Sequence, residues 1–122
     1  MTAYVGRYAP TPSGPLHLGS LLAATASYVD ARAHGGAWLL RIDDLDAART
    51  VAGASEDIIA TLRRFGFEWD GDILYQSQRH GAHAKAIASL LATGRAFRCA
   101  CTRREQSGGP EGLEGPIYPG TC

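Results

Sequence analysis

Lysine is almost missing from this chain: Lys85 is the only one, and arginine supplies the rest of the positive charge. Twelve basic residues balance twelve acidic ones, so bulk charge argues neither for nor against a nucleic-acid partner. Arginine suits fixed, two-pronged contacts to carboxylate or phosphate, although composition alone can produce the same bias. No apolar run approaches the roughly eighteen residues that would suggest a membrane span. The opening MTAYVGRYAP has neither the charged start nor the long apolar stretch of a secretory signal. Cytoplasm is therefore the expected compartment. Cysteine is scarce and odd in number, which argues against a fully paired disulfide scaffold. All three (Cys99, Cys101 and Cys122) sit in the last quarter of the chain. What remains is an ordinary globular composition, 45% hydrophobic and 20% charged over 122 residues, enough for one domain with a modest core.

The stretch Gly6 to Leu22, GRYAPTPSGPLHLGSLL, organises the rest. Residues 3–9 read as a short strand feeding a turn at 10–19 that is dense in Pro, Ser and Gly. The turn has neither the GxGxxG nor the GxxxxGK[ST] spacing, so it is no dinucleotide or P-loop fingerprint. It does carry Arg7 at its start, His17 at its end, and Gly19 and Ser20 at the mouth of a helix. Strand, glycine-rich turn and helix N-terminus together aim backbone amides at an anion. A nucleotide can be seated there without a P-loop.

From Ser20 to about His34, Leu21, Leu22, Thr25, Tyr28 and Val29 recur at helical spacing, and Gly35–Gly36 stop the helix. Ala37 to Ile42 fits a buried parallel strand, which completes one βαβ unit. Asp43, Asp44 and Asp46 follow at its carboxyl end, where open α/β sheets place their ligand crevice. Ser55 or the residues just before it cap a second helix with the stripe Ile58, Ile59, Leu62 and Phe65, ended by Gly66. Ile73–Tyr75 reads as a short strand. A third helix runs from about Arg79 to Thr93 with Ala82, Ala86, Ile87, Leu90 and Leu91 inward. Trp38, Phe65, Phe67 and Trp69 read most simply as core.

Residues 102–121 hold little that can pack, so this segment needs a fastener or stays loose. Cys99 and Cys101 are too close in sequence to pair easily, but both can point at a metal. With Cys122 they offer three thiolates, one ligand short of a tetrahedral zinc site. The residues alone leave the fourth ligand open; His80, His83 and water are the rivals.

RYAPTPSGPLHLGSL resembles the first signature of class I aminoacyl-tRNA synthetases, in the form used by glutamate enzymes. With LLRIDDLDAAR, YQSQR and CAC followed by YPGTC, it resembles the glutamyl-Q branch of the glutamyl-tRNA synthetase-like enzymes. The likeness runs from Gly6 to Cys122, and implies the N-terminal portion of a longer enzyme. It implies an α/β, Rossmann-like catalytic domain over residues 1–96 and a zinc-binding segment over 97–122. His17, Gly19 and Ser20 are the implied catalytic set, contacting ATP and stabilising charge at its α-phosphate. Ser20 stands where the family's second histidine usually is. Arg7, Tyr8, Ala9, Pro10, Thr11 and Asp43 are the implied glutamate cradle, Arg7 on a carboxylate and Asp43 on the α-amino group. Asp43 is one methylene shorter than the glutamate that relatives usually place there. Cys99, Cys101, Tyr118 and Cys122 are the implied ligands of one structural zinc ion.

The reaction implied is two-step: glutamate attacks the α-phosphate of ATP, with Mg²⁺, and the glutamyl group then passes to the queuosine base of tRNA(Asp). A monomer without membrane association is expected. The lysine-rich second class I signature does not occur in this chain, so the 122 residues alone are expected to be inactive. The competing readings are a piece of a glutamyl-tRNA synthetase that charges a tRNA 3′ end, a noncatalytic tRNA- or protein-binding relict, and an unrelated nucleotide-binding domain with a zinc tail. Simpler roles stand beside the catalytic ones. His17 can merely cap its helix, Arg7 can be solvated, Asp44 and Asp46 can be capping or salt-bridge acids with Arg41 pairing one of these two, and YQSQR can be structural.

Overall fold

The computed structural model of the chain describes residues 4–106, 109–118 and 120. They fall into two compact units, 1–80 and 81–122. The first is built as β1 (Val5–Tyr8), α1 (Leu18–Ala33), β2 (Ala37–Ile42), α2 (Ala54–Arg64) and β3 (Leu74–Tyr75), followed by a 3-10 turn at Gln76–Arg79. The strands form one sheet in the order β1-β2-β3, and both pairings are parallel. Each crossover is a helix, so the unit is two overlapping βαβ motifs. The predicted second strand agrees residue for residue.

Side-chain alternation along β2 sends Trp38, Leu40 and Ile42 into the core and leaves Leu39 on the outer face. Against them pack Ala24 and Ala31 of α1, Ile58, Ile59 and Leu62 of α2, and Phe67. Trp38 is the centre: Phe67 stacks on it at 5.6 Å and Tyr28 meets it edge-on at 5.1 Å.

The inward face of α1 is not the one its leucines and valine suggest. Leu22, Thr25 and Val29 are exposed; Ala24 and Ala31 are buried, flanked by half-buried Leu21 and Tyr28. The reason lies in Gly6 of β1. A Cβ there would lie 3.0 Å from the Ala31 Cβ and 3.2 Å from the Ser27 carbonyl oxygen. Helix and strand approach so closely that only small residues fit between them, and the bulky ones turn outward. Phe65 is likewise corrected. It ends α2 as its C-cap and is exposed, while Gly66, at φ 80°, reverses the chain and sends Phe67 inward instead. The N-cap of α2 is Gly53, among the residues just before Ser55, in a left-handed conformation and without a side-chain cap.

The lower end of the sheet is fastened by an arginine. Arg32 donates to Asp70 at 2.8 Å and to the Glu68 carbonyl at 2.7 Å, and Asp70 accepts from the Trp38 amide at 2.7 Å. The amide and guanidinium bonds hold the Asp70 carboxyl below its ordinary range.

The second unit has a different character. It holds α3 (His80–Ala92, starting at the junction), α4 (Arg103–Gln106) and a small antiparallel hairpin of β4 (Glu111–Gly112) and β5 (Gly115–Pro116). None of its described residues is buried. The stripe predicted on α3 is real as a pattern but covers no core: Ile87 and Leu90 are exposed and Leu91 is half-buried. No helix among the described residues is long and apolar enough to cross a membrane.

Candidate functional site

His17 closes the turn and opens α1. Its backbone is extended, and its Nδ1 accepts the Ser20 amide at 3.2 Å, so the imidazole is the N-cap of the helix. An Nδ1 used as acceptor places the ring proton on Nε2, which leaves an N–H donor on the exposed side of the ring. The spacing of His17 and Gly19 has a steric cause: a Cβ on residue 19 would stand 3.1 Å from both Cε1 and Nδ1 of His17. Glycine there lets the ring fold back over the helix start. The first turn of α1 carries no acidic residue, so its positive dipole end is uncompensated by the protein. Burial pushes the Tyr8 hydroxyl above its usual pKa, and a hydrogen bond with Ser20 opposes this in part. Tyr8 is thus a neutral phenol tied to the mouth of the helix.

The acids after β2 have separate tasks. Arg41 pairs with neither Asp44 nor Asp46, as the sequence suggested, but with Asp43, both of whose oxygens it binds, Nε to Oδ1 at 2.5 Å and Nη2 to Oδ2 at 2.9 Å. The Asp43 amide donates to the Pro10 carbonyl at 2.9 Å, and the Val51 amide donates to the Pro12 carbonyl at 2.9 Å. These two bonds moor the turn, with Pro10 and Thr11, against the loop that carries the acids. Alternation puts Arg7 on the same outer face of the sheet as Arg41, because Gly6 and Tyr8 face the helices. Arg32, Arg41 and Arg49 each have a carboxylate partner; Arg7 is in no ion pair among the described residues.

Asp44 is structural. It accepts both the amide and the hydroxyl of Ser77, at 2.8 and 2.6 Å, and so ties the end of β2 to the 3-10 turn. This explains Ser77 of YQSQR without chemistry. Burial would raise the Asp44 pKa, but the Ser77 hydroxyl and amide bonds outweigh it and the net shift is downward. A depressed native pKa means stability that is full above the ordinary carboxylate value of about 3.9 and is lost as pH falls through the native value. Ser77→Ala should therefore lower the urea midpoint at neutral pH, with the gap to wild type closing below about pH 4. A gap that stays constant down to pH 2 would contradict the assignment. Asp46 pairs with Arg49 at 2.6 Å and accepts the Ala48 amide, which makes it the salt-bridge acid expected.

Sequence reasoning missed a groove of about 330 Å³ lined by Gly14, Pro15, Val51, Gly53 and Asp57; none of the predicted site residues lines it. The signal was Gly53, whose positive φ turns the chain into α2. In the second unit, Tyr118 meets the ring of Phe97 at 6.0 Å, two residues before Cys99. Cys99 is exposed and Cys101 half-buried. Cys122 lies outside the described residues. Among those described, no three His, Cys, Asp or Glu side chains come together, so His83 does not join Cys99 and Cys101.

Residues 4–108 match the family model of class I tRNA synthetases (E and Q), catalytic domain. The chain is 55% identical over 120 residues to a glutamyl-Q tRNA(Asp) synthetase of Chromobacterium violaceum, covering 98% of this chain and 40% of that protein. It is 58% identical over 120 residues to that of Aromatoleum aromaticum, covering 98% and 38%. Among solved structures it resembles a glutamate–tRNA synthetase of Elizabethkingia anophelis, with TM-score 0.71 and 32% identity over 75% of this chain and 20% of that one. The chain thus spans about 40% of the length of the curated relatives it matches.

Proposed function

This chain belongs to the class I tRNA synthetases (E and Q), catalytic domain, and from that premise we propose that it forms the N-terminal, nucleotide- and glutamate-binding portion of a glutamyl-Q tRNA(Asp) synthetase. The fold is the Rossmann-like α/β fold of that family's catalytic domain. The observation that carries the reading is the mooring of Asp43 to Pro10, which brings the acidic strand end against the turn that follows Arg7 of β1 and leads to His17. Arg7 binds the glutamate carboxylate, Asp43 receives the α-ammonium group, and Tyr8 to Thr11 complete the cradle. His17 presents its Nε2–H, and Gly19 and Ser20 the helix start, to the phosphates of ATP with its Mg²⁺. Charge that develops on the α-phosphate as the glutamate carboxylate attacks is met by these fixed donors. The product is glutamyl-adenylate with pyrophosphate released, and the glutamyl group then passes to the queuosine base of tRNA(Asp).

Residues 97–122 form a zinc segment held by Cys99, Cys101, Tyr118 and Cys122. Two observations fit this donor set: the second unit buries none of its described residues, and the ring of Tyr118 meets that of Phe97, two residues before Cys99 in sequence. Zinc bound there supplies the cross-link that a missing core does not, and takes no part in the chemistry. The protein acts as a monomer in the cytoplasm. The second reading, a portion of a glutamyl-tRNA synthetase, is favoured by the likeness to the solved glutamate–tRNA synthetases.

Labelled glutamate separates the two. The complete gene product should transfer it to tRNA(Asp) carrying queuosine, and neither to the same tRNA lacking the modified base nor to tRNA(Glu). Charging of tRNA(Glu) instead would establish the second reading.

A further inference from the structure

We propose that Arg41 is a positioning residue for the amino-acid site: it fixes the Asp43 carboxylate in the orientation that receives the substrate's α-ammonium group. The inference rests on the reading above that Asp43 makes that contact. An aspartate carboxylate sits on a single methylene with only two side-chain torsions, so it has little freedom to find its ligand. It must be aimed by its surroundings.

Every torsion that aims it is held. The backbone of Asp43 is fixed by its amide bond to Pro10. Its carboxylate plane is fixed by the two parallel bonds from Arg41, one to each oxygen. Arg41 in turn stands on the central strand, in register with Leu74 of β3, so its own base is rigid. Both side chains are three-quarters shielded from water, which makes the pair stiffer than a surface ion pair. The desolvated guanidinium is held in its charged form by Asp43.

The pairing has a chemical consequence. Arg41 cancels the charge of Asp43, so an incoming ammonium group is not drawn by net charge alone. It binds through the oxygen lone pairs that the guanidinium leaves open, and their direction is set by Arg41. Recognition becomes a matter of distance: ammonium at Asp43, carboxylate at Arg7. A charged group that merely neutralised Asp43 would not reproduce this, because an ammonium lacks the planar fork of a guanidinium.

The test uses the complete gene product in glutamate-dependent ATP–pyrophosphate exchange, with Arg41→Lys, Arg41→Gln and Asp43→Asn, and thermal unfolding of each. Asp43→Asn should raise the KM for glutamate by about tenfold to a hundredfold, the worth of a charged hydrogen bond. Arg41→Lys and Arg41→Gln should both raise the KM for glutamate by about tenfold or more, with the KM for ATP unchanged. Arg41→Lys that behaves as wild type would overturn the inference, since charge would then suffice. If Arg41→Gln fails to fold, Arg41→Lys alone decides. A raised KM in Asp43→Asn with none in either Arg41 variant sinks the positioning role and leaves the Asp43 contact standing. An unchanged KM in Asp43→Asn removes the Asp43 contact itself, and the inference with it.

Discussion

Asp in place of His17 should reduce ATP–pyrophosphate exchange by about a hundredfold to a thousandfold in the complete gene product while leaving its melting temperature nearly unchanged. The two halves of this expectation come from the two nitrogens of the ring. Nδ1 caps α1 through Ser20, a task that an aspartate oxygen performs as well. A carboxylate at the start of the helix also suits its dipole, so stability does not suffer. Nε2 carries the donor proposed to face the phosphates, and no carboxylate can replace it. An anion there would instead repel the triphosphate. His17→Ala is the companion variant. It loses the donor and the cap together, so it should show a similar kinetic loss with about 1 kcal/mol of destabilisation added. Wild-type exchange in His17→Asp would reduce His17 to a helix cap.

Trp38→Ala should cost about 3–5 kcal/mol in a urea titration, a large share of the roughly 5–15 kcal/mol that holds a domain together. Trp38 is fully buried between the rings of Tyr28 on α1 and Phe67 just after α2. Its removal opens a cavity that Gly6, Ala24 and Ala31 are too small to refill. The indole N–H also donates to the Ser27 hydroxyl at 3.0 Å, but Ser27 keeps its own bond to the Ala24 carbonyl, so no orphan donor remains. The loss is therefore one of packing. Trp38→Phe, which keeps a ring between Tyr28 and Phe67, should recover more than half of it. Equal losses in the two variants would mean that the hydrogen bond dominates.

The parts of this fold that could be read in the sequence are those set by local patterning. AWLLRI is apolar throughout and flanked by glycine and acid, and it is a strand over those same residues. Gly35, Gly66 and Gly94 end helices because each takes a positive φ that other residues resist. The turn was legible too, because the His-x-Gly spacing has a steric reason that survives in three dimensions. What could not be read were the choices made by tertiary contact. Leucine outweighs alanine in any count of apolar periodicity, yet the close approach at Gly6 leaves room only for the small Ser27 and Ala31 there, and Ala24 is the other fully buried residue of the helix. Phe65 fits the stripe of α2 but falls at its last turn, where the chain leaves the sheet. Among the acids, spacing pointed Arg41 at Asp44 or Asp46; the fold instead pairs it with Asp43, gives Asp44 to Ser77 and Asp46 to Arg49. Cys99 and Cys101 were visible as a pair, but what joins them depends on residues distant in sequence.

The most direct measurement is glutamate-dependent ATP–pyrophosphate exchange by the complete gene product with tRNA left out. Exchange in the absence of tRNA is the predicted result, because in the proposed glutamyl-Q reaction the adenylate forms from ATP and glutamate before any tRNA takes part. No exchange, with or without tRNA, would contradict the proposed activity and leave a fold that keeps the synthetase frame without its chemistry.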